Sequence, residues 1–281
     1  MTKMQNIKWI IALLVIIILL LLTFHYSVLE STTTTTMEYR ESDHIPLGII
    51  NQIVNQRNLL SQQLNDARKT IGQLQCEKSD QKTNSQGGWC KQASTETGGE
   101  HMTDMTLVKA LAYFLKNKSI GSFGDGPGAY KREILKLGLV QSYTSFDGAP
   151  YCEETSEGRV VFMDLTIPQY GIQQFDWILS LEVAEHIPKA YENIYLDNIF
   201  RHAKEGIILS WAVPGQGGLS HINNQPLQHV VDVMEKNGFT IDQSISKVLQ
   251  DSAELPWIKS NMYVYRRHQH SVNSTYKDLF V

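Results

Sequence analysis

Residues Ser119 to Lys136 read SIGSFGDGPGAYKREILK: an apolar run, a glycine-rich turn and an amphipathic stretch in immediate succession. The run Ser119 to Phe123 has the length and character of a buried strand, and the stretch beginning near Tyr130 carries helical periodicity. Between them, Gly124, Gly126 and Gly128 let backbone approach a bound molecule closely, and the helix N-terminus presents free N–H groups. The spacing fits GxGxG, and Gly124, Gly126 and Ala129 also satisfy the looser GxGxxA of dinucleotide-binding turns. Taken alone, the turn is a weak signal, with a purely structural glycine turn as its lesser alternative.

Acids spaced along the following runs sharpen it. Asp147 ends SYTSFD and Asp164 ends RVVFMD, while FDWILSLEVAEHIP puts Glu182, Glu185 and His186 beyond the end of a fourth run. A carboxylate at the first of these places accepts hydrogen bonds from ribose hydroxyls. At the second, Asp164 reaches an adenine amine while Leu165 packs on the ring. Each acid lies at the carboxyl end of a strand, where ligands bind in open α/β sheets. Strand-like runs also alternate with amphipathic stretches, at Thr103 to Leu115, Tyr191 to Ala203 and Leu227 to Asn237. The expected fold class is therefore α/β, a mostly parallel sheet with helices on both faces.

From about Ile120 to Arg266 this pattern resembles the class I (Rossmann-like) S-adenosylmethionine-dependent methyltransferases. GSFGDGPG is similar to their first motif, and FDWILSLEVAEHIP to their fourth strand with its EH ending. RHAKEGIILSWAVPG resembles the fifth strand with its substrate loop, and GFTIDQSISKVL and NMYVYRR the sixth and seventh strands. The resemblance implies a seven-stranded sheet whose last strand is antiparallel, S-adenosylmethionine as cofactor, and methyl transfer as the reaction. It also implies that Gly124, Gly126 and Gly128 wrap the methionine and ribose end, Asp147 the ribose, and Asp164 with Leu165 the adenine. Glu182 is grouped with these cofactor-binding residues. The family's acid two residues before the first glycine is replaced here by Ser122, for which Asp125 is a partial substitute. Transfer from a sulfonium mainly needs alignment, with a base only where the acceptor must lose a proton; Glu185, His186 and His221 are the candidates. A nicotinamide-dependent oxidoreductase is the other reading of the fold, but Tyr191 and Tyr195 lack a lysine four positions on.

Upstream, Trp9 to Thr23 reads WIIALLVIIILLLLT, and with residues to 29 it is long enough to cross about 30 Å of hydrocarbon. No small-x-small cleavage site follows, so an uncleaved anchor over 9–29 is expected. Lys3 and Lys8 precede it and acids follow, which places tail 1–8 in the cytosol. The expected protein is a type II single-pass membrane protein of the Golgi or another secretory membrane. Its methyl acceptor would be a glycan, a secreted protein or a small molecule. The sequons at Asn117 and Asn273 fit that topology. Residues 30–49 read as a juxtamembrane linker containing STTTTT. Over 50–76, Ile50, Ile53, Leu60, Leu64, Ala67, Ile71 and Leu74 form a heptad seam, expected to be a coiled-coil stalk that makes a homodimer. A Ser/Gln/Gly-rich linker (77–100), the domain (101–268) and a tail (269–281) complete the chain. The alternative function is a membrane adaptor that has lost catalysis and works through its coiled coil.

Composition excludes little else. Net charge is -4 with 42% hydrophobic residues, so a core is available and no basic face points to nucleic acid. Of the three cysteines, Cys76 and Cys90 either pair in an oxidising lumen or are unrelated thiols. No cysteine pair has zinc-site spacing, and no metal is expected.

Overall fold

The structure is a computed structural model that describes residues 46–78 and 80–268. The expected membrane span, both tails and most of the juxtamembrane linker lie outside the described residues. Among those described, no helix is long and apolar enough to cross a membrane.

After a 32-residue helix α1 (Leu47–Lys78), the chain alternates strands and helices. Its first elements are α2 (Leu107–Phe114), β1 (Ser119–Phe123), α3 (Ala129–Lys136), β2 (Ser142–Asp147) and a one-turn α4 (Cys152–Thr155). Next come β3 (Val160–Phe162), β4 (Phe175–Ser180), α5 (Glu192–His202), β5 (Ala203–Ser210) and α6 (Leu227–Lys236). β6 (Phe239–Ile241), α7 (Gln243–Ser252), α8 (Pro256–Asn261) and β7 (Met262–Arg267) close the domain. The sheet has seven strands in the order β3-β2-β1-β4-β5-β7-β6. Strands β1 to β5 are parallel, and β7 runs antiparallel to both β5 and β6. This is the Rossmann-like, mostly parallel arrangement that the alternation predicts.

Burial on both faces explains why the strand runs are apolar without alternation. In β4, Ile178 enters the core shared with α5 and α6, while Trp177 and Leu179 enter the one shared with α2, α3 and α7. A register irregularity between Phe175 and Trp177 puts these two on opposite faces despite their even spacing. One run departs from its sequence reading. GFTIDQSISKVL is a strand only over Phe239–Ile241, because Asp242 then caps α7 by accepting the Ile245 N–H at 3.0 Å.

The N-terminal segments differ most from expectation. From Asn51 the chain belongs to the same compact unit as the sheet domain. Helix α1 lies along that domain through its polar side. The Ser61 hydroxyl donates to Pro168 O (3.0 Å), Asn65 Nδ2 to Phe162 O (3.1 Å) and Gln73 Nε2 to Pro150 O (3.2 Å), with the Arg57 guanidinium over the Tyr170 ring. The heptad seam faces away: Ile53, Leu60, Leu64, Ile71 and Leu74 are 44–64% exposed. The helix is therefore clamped to the domain and does not stand free of it as a stalk, yet its apolar stripe stays open. Cys76 and Cys90 form a disulfide that ties the end of α1 to the following segment. That segment, read from sequence as a linker, is a structured wall with a bridge between Thr83 and Trp89.

Candidate functional site

Strand β1 ends at Phe123 and the chain turns through Gly124, Gly126 and Gly128, all at positive φ (90°, 57° and 79°). All three positions are closed to side chains, Gly128 because a Cβ there would lie 2.8 Å from Val160 Cγ2. A Cβ on Gly124 would lie 2.3 Å from Val183 Cγ2, and one on Gly126 would lie 2.5 Å from His101 Nδ1. The turn is braced from β2. Asp147 takes the Gly126 N–H on one carboxylate oxygen and the Ala149 N–H on the other, both at 2.8 Å. Burial pushes the Asp147 carboxyl up to about 6, against the pull of those two N–H groups.

Asp125 folds back beneath the turn. Its carboxylate accepts the hydroxyls of Ser122 (3.1 Å) and Ser145 (2.5 Å). Burial raises it to about 6 even so, with Asp147 adding repulsion. The residue that replaces the family's acid and the acid three positions on are thus hydrogen-bonded neighbours. At the end of β3, Asp164 accepts the Thr166 N–H and hydroxyl at 2.8 and 2.6 Å. It also meets α1: its own N–H donates to Asn65 Oδ1 at 2.9 Å, and Arg68 Nε lies 3.7 Å from its Oδ2.

These residues open on one cavity of about 380 Å³ at the carboxyl ends of the parallel strands. Ser122, Gly124, Asp125, Gly126, Asp147, Asp164, Leu165, Glu182, His186 and His221 all line it. Gly128 and Glu185 do not; Gly128 instead precedes the first residue of α3. Part of the remaining wall comes from residues that sequence reasoning passed over, among them Trp89, His101 and Trp257. Trp89 was the one legible signal, a lone aromatic in a polar stretch, and it packs edge-on against His186 at 5.6 Å. Carboxylates of Glu100, Asp125, Asp147, Asp164 and Glu182 line the cavity, with no Lys or Arg among the described lining residues.

On the β4 side, Glu182 sits at φ 54° with its N–H on Ser210 Oγ (2.7 Å) and its Oε2 accepting from Gln216 Nε2 (2.7 Å). Glu185 is fully buried, and neither of its carboxylate oxygens accepts a hydrogen bond. Burial, then the nearby Glu182, holds its carboxyl well above the usual range. The loop after β5 reaches back to it: the N–H groups of Ile222 and Asn223 both donate to Glu185 O at 2.9 Å. That places His221 Nε2 at 3.9 Å from Glu185 Oε1, and its ring 5.0 Å from that of His186. Burial, then His221, lowers His186 to about 4, so it is neutral at physiological pH.

No protein-family model and no curated protein sequence matches this chain. Its fold is similar to several solved structures. One is magnesium protoporphyrin IX methyltransferase from Synechocystis PCC 6803, with bound S-adenosylhomocysteine. It is 15% identical over 60% of this chain and 90% of that one, with a TM-score of 0.43. The methyltransferase domain of a bacterial Hen1 is 17% identical over 58% and 95% of the two chains (TM-score 0.43). The N-methyltransferase NodS from Bradyrhizobium japonicum WM9, also with S-adenosylhomocysteine, is 14% identical over 59% and 85% (TM-score 0.41).

Proposed function

We propose that this protein transfers a methyl group from S-adenosylmethionine to an acceptor bound in the same cavity. The observation that carries the reading is the charge of that cavity. Five carboxylates and no lysine or arginine line it among the described residues. Such a field favours a sulfonium with a free amino group, and opposes the pyrophosphate of a nicotinamide dinucleotide. The other parts fit the donor as well. Gly124 and Gly126 let the turn pack closely under Val183 and His101 at the cavity wall, Asp147 faces the ribose, and Asp164 with Leu165 borders the adenine. Asp125, held by Ser122 and Ser145, supplies the acid for the amino group. S-adenosylmethionine brings an activated methyl group, and the protein's part is to align it with the acceptor. The test is calorimetric titration of the full chain with S-adenosylmethionine and S-adenosylhomocysteine. Saturable binding of both supports the reading, whereas no binding of either would leave a non-catalytic membrane adaptor.

The chain is further proposed to be a type II membrane protein held by 9–29, with its domain in the secretory lumen. The Cys76–Cys90 disulfide supports this, since disulfides persist in oxidising compartments. In chain isolated from cells with thiols trapped, Cys76 and Cys90 are expected to resist maleimide until reduced. Free labelling of both without reductant would argue for a cytosolic domain.

A homodimer through the exposed seam of α1 is the proposed assembly, because its stripe of Ile and Leu finds no cover among the described residues. Sedimentation of the detergent-solubilised chain should show a dimer that Leu60→Glu with Leu64→Glu dissociates; a wild-type monomer would remove the proposal.

A further inference from the structure

We propose that Glu185, His186 and His221 bind one divalent transition-metal cation beside the donor cavity, and that this cation holds and activates a hydroxyl as the methyl acceptor. The second half rests on the methyl-transfer reading; the first does not.

Three observations lead to the site. One ligand atom from each residue lies within 4.8 Å of the others. Metal–nitrogen and metal–oxygen bonds of about 2.0–2.2 Å set neighbouring donors about 3–3.5 Å apart, so small side-chain rotations close the set. Next, Glu185 is fully buried, with neither carboxylate oxygen accepting a hydrogen bond. A buried carboxyl in that state either keeps a proton or meets a cation, and the two imidazoles beside Glu185 supply the remaining donors that a cation needs. Glu182 adds to the demand, since its Oε1 is also buried without a hydrogen bond. Finally, His186 Nδ1 lies 3.3 Å from Ser220 O. A carbonyl only accepts, so Nδ1 carries the proton and Nε2 keeps a free lone pair. An imidazole fixed through its other nitrogen by a backbone carbonyl is the usual support of a metal-ligating histidine.

The donors come from two loops that the backbone holds together. Ile222 and Asn223 donate to Glu185 O, which fixes His221 across from the Ala184–His186 turn. Two imidazoles with one or two carboxylates suit manganese, iron, cobalt or zinc, and the absence of thiolate disfavours copper(I). His186 and His221 line the cavity while Glu185 lies behind it, so the open coordination positions face the acceptor.

Coordination lowers the pKa of a hydroxyl, whose proton passes to solvent water. The oxygen then forms a bond to the methyl carbon as the carbon–sulfur bond breaks. The electron pair of that bond stays on sulfur, giving a neutral thioether. The cation would thereby serve as the activating group for which no free base is needed.

The test uses the full chain, stripped with chelator and titrated with Co²⁺, followed by calorimetry and by visible absorption that reports nitrogen–oxygen ligation. One equivalent is expected to bind in the wild type. Glu185→Gln, His186→Asn and His221→Asn should each weaken it by at least about tenfold, the size that even outer-shell changes produce. Unchanged melting temperatures in the three variants would show that they fold. No saturable Co²⁺ binding by the wild type, or binding indifferent to all three substitutions, would overturn the inference. S-adenosylhomocysteine binding is measured on the same samples. If it binds without any Co²⁺ site, the metal inference alone fails; if Co²⁺ binds and it does not, the site stands and the methyl-transfer reading falls.

Discussion

Asp147→Ala is expected to weaken S-adenosylhomocysteine binding by about 100-fold or more, a loss of about 3 kcal/mol. The size follows from two ribose hydroxyls, each donating to a charged acceptor in a water-poor cavity. The same carboxylate braces the turn through the N–H groups of Gly126 and Ala149. Its loss therefore loosens the loop as well as removing an acceptor. Asp147→Asn separates the two effects through pH. Burial raises the Asp147 carboxyl to about 6, so it is ionised at neutral pH and takes up a proton as the pH falls through that value. Wild-type affinity should be flat above about pH 7 and decline below 6, whereas the asparagine variant should lose most of that slope. Calorimetry across pH checks both. Wild-type affinity in the alanine variant would sink the placement of ribose at Asp147.

The largest expected effect on stability is at Asp104, a residue with no part in the cavity lining. It is 1% exposed, and its carboxylate gathers three backbone donors, two of them from a distant segment. Oδ1 accepts the Leu107 N–H (3.1 Å) in the first turn of α2, along with the Thr106 hydroxyl (2.7 Å). Oδ2 accepts the N–H groups of Glu254 and Leu255 beyond α7, both at 2.8 Å. Asp104→Ala would strand these N–H groups in the interior at about 1–3 kcal/mol each. The expected loss is about 3–5 kcal/mol, or about 10 °C in melting temperature for a domain of this size. Burial alone would raise the Asp104 carboxyl, but the hydrogen bonds from Leu255, Thr106, Leu107 and Glu254 outweigh it and hold the pKa below its ordinary value. Its contribution is thus present above the unfolded pKa of about 3.9 and lost as the pH falls through the lower folded value. Asp104→Asn, which keeps one acceptor oxygen, should cost less than the alanine. Equal melting temperatures for wild type and alanine variant would show that the three N–H groups find other partners.

Much of the site was legible because its residues sit at local landmarks. Gly124, Asp147 and Asp164 each stand directly after or at the end of a strand-like run, and the strand-end rule needs only that adjacency. Ser122 looked like a missing acid. The structure shows the Asp125 carboxylate hydrogen-bonded to it, a pairing between residues three positions apart that periodicity does not encode. Trp89 and His101 were passed over for a different reason. They lie in a Ser/Gln/Gly-rich stretch whose composition matches a linker, and only its packing on the His186 and Gly126 turns makes it a wall. Glu185, His186 and His221 were each read as separate base candidates, since nothing local links a residue after β4 to one after β5.

What the sequence by itself determined is the α/β class, the order of strands and helices, and the acids at the strand ends. Hydrophobic period and turn residues are short-range properties that a chain carries at every position. Only the tertiary structure decided that α1 lies on the domain by its polar side with its heptad seam exposed. It alone closed the cavity with residues 86–102 and brought His221 against Glu185. Those choices depend on hydrogen bonds between distant segments, from the Asp164 N–H to Asn65 and from the Ile222 N–H to Glu185, and such pairings have no periodic signature to read.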